Sequence, residues 1–178
     1  MPEEIEVPTE HLHETMEERA HEAAEKWVSR VALSAALLSV LAAITALMAG
    51  HHANEAMIEQ LQSSDQWAYY QSKGIKSSVL ASKMELLEGE GKAVNPKDEE
   101  KLTNYKKEQA EIQEKAEEQG NDSKDHLRKH NRMSGGVTAF QIAIALSAIS
   151  VLTKRKALWF CSLALGVVGI GFLIAGLL

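Results

Sequence analysis

Histidines are the residues of this chain whose type and spacing could do chemistry. His51 and His52 are adjacent, and His126 and His130 lie four residues apart, so a helix would place that pair on one face. If the chain between them folds back on itself, His52 and Glu55 reach about the height of His130. Imidazole and carboxylate groups bind zinc and other divalent metals, and imidazole also titrates near neutral pH. A metal site at these five residues is therefore one hypothesis, and a pH switch is another.

Neither this group nor a second histidine group has the spacing of a recognised metal motif. In the second group His13, Glu17 and His21 recur at every fourth residue, which is equally typical of a solvated helix face. Solvated histidines without a ligand are therefore the simpler interpretation of both groups. Beyond a divalent metal, we predict no cofactor.

Motifs for catalysis are absent from the sequence. It contains no nucleophile elbow, no glycine-rich phosphate loop and no paired acids in an apolar context. The single cysteine, Cys161, excludes an intrachain disulfide, and its apolar neighbours predict a small buried side chain. We therefore predict a protein that is not an enzyme and has no catalytic or cofactor-binding residues.

Charged and apolar residues are segregated along the chain. Residues 1–27 and 51–134 contain all 25 acidic residues, whereas residues 31–50, 137–152 and 157–178 contain no charge. Segregation on this scale is typical of a membrane protein rather than of a globular core. The net charge of −6 and the lack of a basic face exclude nucleic acid as an expected partner.

Three apolar segments are long enough to cross a bilayer as helices. We predict transmembrane helices at 28–50, 135–152 and 157–178, with a basic loop at 153–156. A signal peptide is the alternative for the first segment. The acidic residues that precede it argue against this, because a signal peptide begins with a basic region.

Basic residues near the ends of the segments predict the orientation. Lys154, Arg155 and Lys156 should keep their short loop in the cytoplasm. The N-terminus is then cytoplasmic, and residues 51–134 and the C-terminus lie outside. Arg128, Lys129 and Arg132 give the opposite signal, but long translocated regions are less sensitive to charge.

Residues 51–134 predict an extramembrane antiparallel helical hairpin with its turn near 89–95. Asn95 and Pro96 form a strong helix start, and Gly120–Asp122 could interrupt the returning arm. One arm has apolar and small residues at helical spacing: Met57, Leu61, Ser64, Ala68, Ser72, Ile75, Val79 and Leu86. The returning arm has residues at the spacing of a coiled coil: Leu102, Tyr105, Gln109, Ile112 and Ala116.

Several features favour self-assembly. The core positions of the hairpin are rich in Ser, Ala and Gln, so a lone hairpin would be marginally stable. The aromatic residues Trp67, Tyr69 and Tyr70 point around much of the helix, so one neighbour cannot cover them. The spans contain rows of small residues that allow close helix packing, namely Ala42, Ala46 and Gly50 and then Gly135, Ala139 and Ala143. We expect a homo-oligomer in contact with lipid.

The acidic tail, residues 1–27, also predicts a helix. An apolar stripe of Leu12, Met16, Ala20, Ala23 and Trp27 runs along it, and Thr9 can cap it. Because its opposite face is acidic, we expect it to continue the first span or to bundle with its copies. The predicted fold is therefore all-α, with three transmembrane helices, a hairpin between the first and second, and an N-terminal helix.

Three strings of residues resemble a known family. PTEHLHE (8–14), GHHANEA (50–56) and DQWAYYQ (65–71) are similar to a bacterial membrane-protein family known as domain of unknown function 4337. The resemblance extends over nearly the whole chain. It implies a bacterial, inner-membrane protein with the same layout, and it implies no activity.

Our leading hypothesis for the function is a homo-oligomeric scaffold with helical stalks. A passive pore, lined by small and hydroxyl residues of the first or second span, is an alternative. An accessory subunit of a larger membrane complex is a third possibility.

Overall fold

The structure, a computed structural model, describes residues 9–178, with side chains from Met16 onward except those of residues 20, 21 and 23. Its elements are three α-helices, α1 (Thr9–Gly89), α2 (Pro96–Thr153) and α3 (Lys156–Leu177). Each of them is long and apolar enough to cross a membrane. The all-α prediction is therefore confirmed over the described residues. The predicted tail helix is the beginning of α1, and its stripe residues Leu12, Ala20 and Ala23 have side chains outside those described.

The two connections between helices are short, and their residues explain where the helices stop. Gly91 has a positive φ of 72°, and Asn95 accepts a hydrogen bond on Oδ1 from the backbone N–H of Lys97 at 3.0 Å. Pro96 then begins α2, where its missing N–H costs nothing. The second connection is Lys154–Arg155, and the backbone N–H of Arg155 donates to the carbonyl of Ser150 at 3.1 Å. The helices are thus interrupted at 90–95 and at 154–155, within or beside the turn near 89–95 and the loop at 153–156 that the sequence suggests.

The possible break at Gly120–Asp122 does not occur, because α2 runs through it without interruption. An ideal Cβ at Gly120 would lie 3.2 Å from Oγ of Ser63, so the missing side chain allows the two arms to approach closely. Gly74 has the same role on α1, where a Cβ would lie 2.8 Å from Nε2 of Gln109. Each glycine weakens its own helix but permits contact with the other arm.

Contacts divide the chain into two units. The first, which we call the three-helix unit, contains the chain up to Leu47 and Arg132–Leu178. The second, which we call the two-arm unit, is Met48–Asn131.

The core of the three-helix unit combines one ring with small residues. Phe140 is fully buried and packs with Leu38, Ala42 and Ala143. Gly169 of α3 is so close to Phe140 that a Cβ there would lie 2.7 Å from the ring. Ser147 of α2 and Ser162 of α3, both fully buried, share a hydrogen bond of 2.7 Å. Small residues therefore let these helices pack closely, as is typical of helices that associate in lipid.

Hydroxyl and amide groups join the arms of the two-arm unit. Ser63 donates to the carbonyl of Ala116 at 2.8 Å, and Ser123 donates to the carbonyl of Ala56 at 2.7 Å. Residue numbers rise along one arm as they fall along the other at these contacts. The seam, as we call this contact, is built mainly of small and polar side chains.

The two arms differ in how well their sequence patterns identify the seam. On α2 the predicted row lies on it, with Ile112 and Ala116 buried and Leu102, Tyr105 and Gln109 partly buried. On α1 the seam is a different row from the apolar one noted in the sequence, because Met57, Leu61, Ile75, Val79 and Leu86 are all exposed. The α1 residues buried at the seam are Ala56, Ser63 and Ser77. Five of the large apolar side chains of this arm are therefore left exposed rather than buried against α2.

Candidate functional site

A pair of histidines meets across the seam. His52 of α1 and His126 of α2 have their Nδ1 atoms 3.0 Å apart, with ring centroids 5.2 Å apart. Both residues are partly buried. One Nδ1–H donates to the other Nδ1, so the contact requires at least one neutral acceptor ring. Protonation of both rings would remove the hydrogen bond and leave two adjacent cations.

The surroundings of His52 disfavour its protonation. Burial lowers the pKa of His52, and positive charge on His126, His51 and Lys129 lowers it further. Glu55 acts in the opposite direction and raises it. The net effect is a lowered pKa, so His52 keeps its neutral form to a lower pH than a free histidine does.

The structure brings four of the five residues of the predicted metal site near one another, since the ring of His52 lies 5.6 Å from that of His51 and 5.2 Å from that of His126, and Glu55 lies beside His51. His51 lies 3.9 Å from the carboxylate of Glu55, and Nδ1 of His130 lies 2.8 Å from the carbonyl oxygen of Ala49. Within the described part of the chain, no three His, Cys, Asp or Glu side chains are placed to hold a metal ion. The metal site stays a prediction without a supporting ligand group. The side chains of His13 and His21 lie outside those described, and Glu17 is exposed.

A second cross-arm cluster was not predicted. The ammonium of Lys73 pairs with the carboxylate of Glu108 and lies 5.3 Å from the ring centre of Tyr69 and 5.2 Å from that of Tyr105. The hydrogen bond to Glu108 raises the pKa of Lys73. The sequence could have suggested it only through the seam position of Tyr105, because nothing local identifies which row of α1 faces α2.

The three predicted aromatic residues lie partly on the surface of the two-arm unit. Trp67 and Tyr69 are exposed and Tyr70 is partly buried, with the rings of Trp67 and Tyr70 5.5 Å apart at their centres. The backbone carbonyl of Tyr70 accepts a hydrogen bond from Gln109 at 3.3 Å. Tyr70 therefore takes part in the seam through its backbone, Tyr69 contacts Lys73 of the cross-arm cluster, and Trp67 packs against Tyr70 while staying exposed.

The family model described as Domain of unknown function (DUF4337) matches residues 27–178. The chain belongs to this family. The resemblance seen in the sequence is thereby confirmed at the level of the family. No curated protein and no solved structure shows significant similarity to the chain.

The part of the chain that matches the DUF4337 family includes both rows of small residues. Ala139 and Ala143 are buried. An ideal Cβ built at Gly135 would lie 3.5 Å from the ring of Phe172. Ala42 is buried too, but Ala46 and Gly50 are exposed, and nothing lies within 4 Å of a Cβ at Gly50. The second row therefore packs within the chain, and packing of Ala46 and Gly50 against another copy stays a prediction.

Two further side chains of this DUF4337 chain lie differently from expectation. Cys161 is exposed on α3 rather than buried, because the buried side of this helix consists of Ser162, Gly166, Gly169 and Gly176. Arg132 donates to the carbonyl of Ala175 at 2.9 Å near the end of α3. A cation at a helix C-terminus satisfies carbonyls that have no helical partner. Arg132 therefore has a structural role, which reduces its weight as a topology signal. Lys154, Arg155 and Lys156 are all exposed.

Proposed function

We propose that this DUF4337 protein is a non-enzymatic membrane scaffold that assembles from copies of itself. Residues 51–134 would form an antiparallel helical hairpin outside the bilayer, and the apolar helical segments would anchor it. The observation that carries the proposal is the distribution of apolar side chains in the two-arm unit. The unit places mainly small and polar groups at its seam, and it leaves Met57, Leu61, Ile75, Val79 and Leu86 of α1 exposed.

The seam contributes little hydrophobic stabilisation. Its buried residues include Ala56, Ala116 and Ile112, together with Ser63 and Ser123. A buried CH₂ group contributes about 0.8 kcal/mol, so alanines contribute far less than the leucines of a typical coiled coil. Two helices joined by such a seam are marginal in isolation. A further partner would therefore increase the stability of the unit.

Another copy of the chain, inserted in the same membrane, would present the same exposed residues. Met57, Leu61, Ile75, Val79 and Leu86 are between 62% and 68% exposed in a single chain. Exposed apolar side chains that recur along one side of an extramembrane helix are typical of an interaction site. Homo-oligomers with closed symmetry are the commonest way to cover such a surface.

The proposal includes a location and an orientation. The charge-free segments support insertion into a membrane, and the family resemblance supports the bacterial inner membrane. Lys154, Arg155 and Lys156 favour a cytoplasmic loop, which leaves the N-terminus cytoplasmic and residues 51–134 and the C-terminus periplasmic.

The test is the oligomeric state of the full chain. We expect mass photometry of the protein in nanodiscs to give a defined species of two or more copies at nanomolar concentration. A monomer at every concentration would contradict the proposal. Loss of the assembly only when the protein is purified alone would instead favour an accessory subunit of a larger complex.

A passive pore is the alternative that the exposed polar residues of the spans leave open. Gln141 and Ser39 are both exposed on the three-helix unit, where a neighbouring copy or water could meet them. Planar-bilayer recording tests this function. Single-channel conductance steps whose size changes in Gln141→Leu or Ser39→Leu would contradict the scaffold proposal. Bilayers that show no conductance steps would agree with it.

A further inference from the structure

We propose that two copies of this chain dock through one row of residues on α1, parallel and in register. This inference rests on the proposed function and identifies the surface that would carry it. The outer row, as we call it, consists of Met57, Leu61, Ser64, Ala68, Ser72, Ile75, Val79, Ser82 and Leu86.

The spacing of the outer row is that of a helix-packing surface. Its members follow one another at intervals of three and four residues, which keeps them on one side of an α-helix. None of the nine positions carries a charge. The row thus has the pattern by which one helix packs lengthwise against another.

Most of the outer row is not covered by α2 of the same chain, although Ile75 and Val79 border a groove that Asp98, Lys101 and Tyr105 of α2 also line. The seam residues Ala56, Ser63 and Ser77 are buried. Ala56 and Ser63 each lie one position along the sequence from a residue of the outer row, and Ser77 lies two positions from its nearest outer-row residues. At 3.6 residues per turn, steps of one or two residues turn a side chain by about 100° or 200° around the helix. Most of the outer row therefore faces away from the seam, and eight of its nine residues are exposed while Ser72 is partly buried.

The area of the outer row is sufficient for a specific contact between two copies. Each of its five large apolar residues presents roughly 100 Å² of surface, and two facing rows would bury about 1,000 Å² in total. A specific interface between proteins needs about that area. Ser64, Ala68 and Ser82 lie between the larger residues and would let the two helices approach closely.

The second copy fits this surface better than an unrelated partner does. Two chains inserted in the same membrane with the same orientation present identical outer rows at the same height. Each residue then meets its own counterpart, which is the arrangement of an isologous interface with twofold symmetry. Lys76, Lys83 and Glu85 flank the row and are exposed, so their charges can stay in water when two rows meet.

Disulfide cross-linking in membranes tests the register. Because Cys161 is the only cysteine, Cys161→Ala gives a cysteine-free chain. Ser64→Cys and Ser82→Cys then place single thiols on the outer row. Thr103→Cys and Ala110→Cys are the matched controls, at exposed positions of α2.

We expect oxidation to give covalent dimers from Ser64→Cys and Ser82→Cys about tenfold faster than from either control, since a disulfide needs Cα atoms within roughly 7 Å. Equal rates at all four positions, or no dimer from the outer-row thiols, would overturn the inference.

Charge substitution gives a second measurement. Leu61→Glu with Val79→Glu should weaken self-association by at least roughly tenfold, because carboxylates would be buried without partners. Leu127→Glu on α2, where Leu127 is half exposed, is the control and should leave association unchanged.

The outcomes distinguish the two proposals. If the native chain is oligomeric but its outer-row thiols do not cross-link, the inference fails and the scaffold stands. If the native chain is a monomer, both fail. If the doubly substituted chain loses helicity, its association is uninformative about the row, and the cysteine variants alone decide the result.

Discussion

At the residue scale, the contacts of this protein depend on small polar side chains. Ser63 and Ser123 donate to carbonyls of the opposite arm, and Ser147 and Ser162 bond to each other. A buried hydroxyl must find a partner, so each of these bonds specifies which residues meet. His52 and His126 form a further polar contact of this kind across the seam.

We predict that acid destabilises the two-arm unit through His52. Its pKa is lowered in the folded chain, so the unfolded chain binds more protons as the pH falls through about 6.5 and below. The contribution of neutral His52 to the free energy of unfolding is therefore fully present above that pH and decreases as the solution becomes more acidic. The thermal midpoint of the native protein, followed by circular dichroism, should be lower at pH 5 than at pH 8.

The control for this prediction is the adjacent histidine. His52→Gln should reduce the loss of stability between pH 8 and pH 5. His51→Gln, at an exposed position, should lose nearly as much stability over that pH range as the native protein does. An unchanged acid response in His52→Gln would show that other groups cause it.

At the element scale, glycines determine how closely the helices pack. Gly166 and Gly169 of α3 lie against Leu38 and Phe140, with ideal Cβ atoms 2.7 Å from each. Gly171, two residues after Gly169, has nothing within 4 Å. The same helix therefore has one crowded and one open side, and the sequence does not distinguish the glycines on the two sides.

We predict that Gly169→Val destabilises the three-helix unit by roughly 1–3 kcal/mol, because its side chain would collide with the fully buried ring of Phe140. The free energy of unfolding can be measured by titration with SDS in mixed micelles. Gly171→Val is the matched control and should change it by less than about 0.5 kcal/mol. Similar losses in both variants would contradict a collision with Phe140 as the cause, because Gly171 has no neighbour within 4 Å.

At the scale of the whole molecule, the proposal concerns which parts of the chain face which side of a membrane. The exposed side chains of Lys154, Arg155 and Lys156 are free of the structural role that Arg132 has on α3. They remain the strongest topology signal, since short basic loops stay in the cytoplasm.

We predict that residue 78 is periplasmic and residue 153 is cytoplasmic. In the Cys161→Ala background, Ser78→Cys should react with a membrane-impermeant maleimide in intact spheroplasts, and Thr153→Cys should react only after permeabilisation. Both positions are exposed, so accessibility within the chain does not limit either reaction. The reverse labelling pattern would invert the proposed orientation.

The sequence by itself determined that the chain is helical and that it contains three long apolar segments. Long charge-free segments favour apolar helices, and Gly91 with Asn95 and Pro96 favours a turn, for reasons that are local in the chain. The a/d pattern of the returning arm likewise identified its seam, because that arm has a single apolar row. The family assignment also followed from strings that are visible in the sequence.

Only the tertiary structure decided which faces meet. The first arm carries two rows at helical spacing, one with large apolar residues and one with small and polar residues such as Ser63 and Ser77. Apolar periodicity favours the row with the large apolar residues as the contact surface. The row with small and polar residues lies at the seam instead, because Ser63 donates a hydrogen bond to α2 and small residues let the two arms approach closely. The partner of His52 and the exposure of Cys161 depend on the same choice of faces. Spacing along a helix shows which residues share a side, but only packing shows what that side contacts.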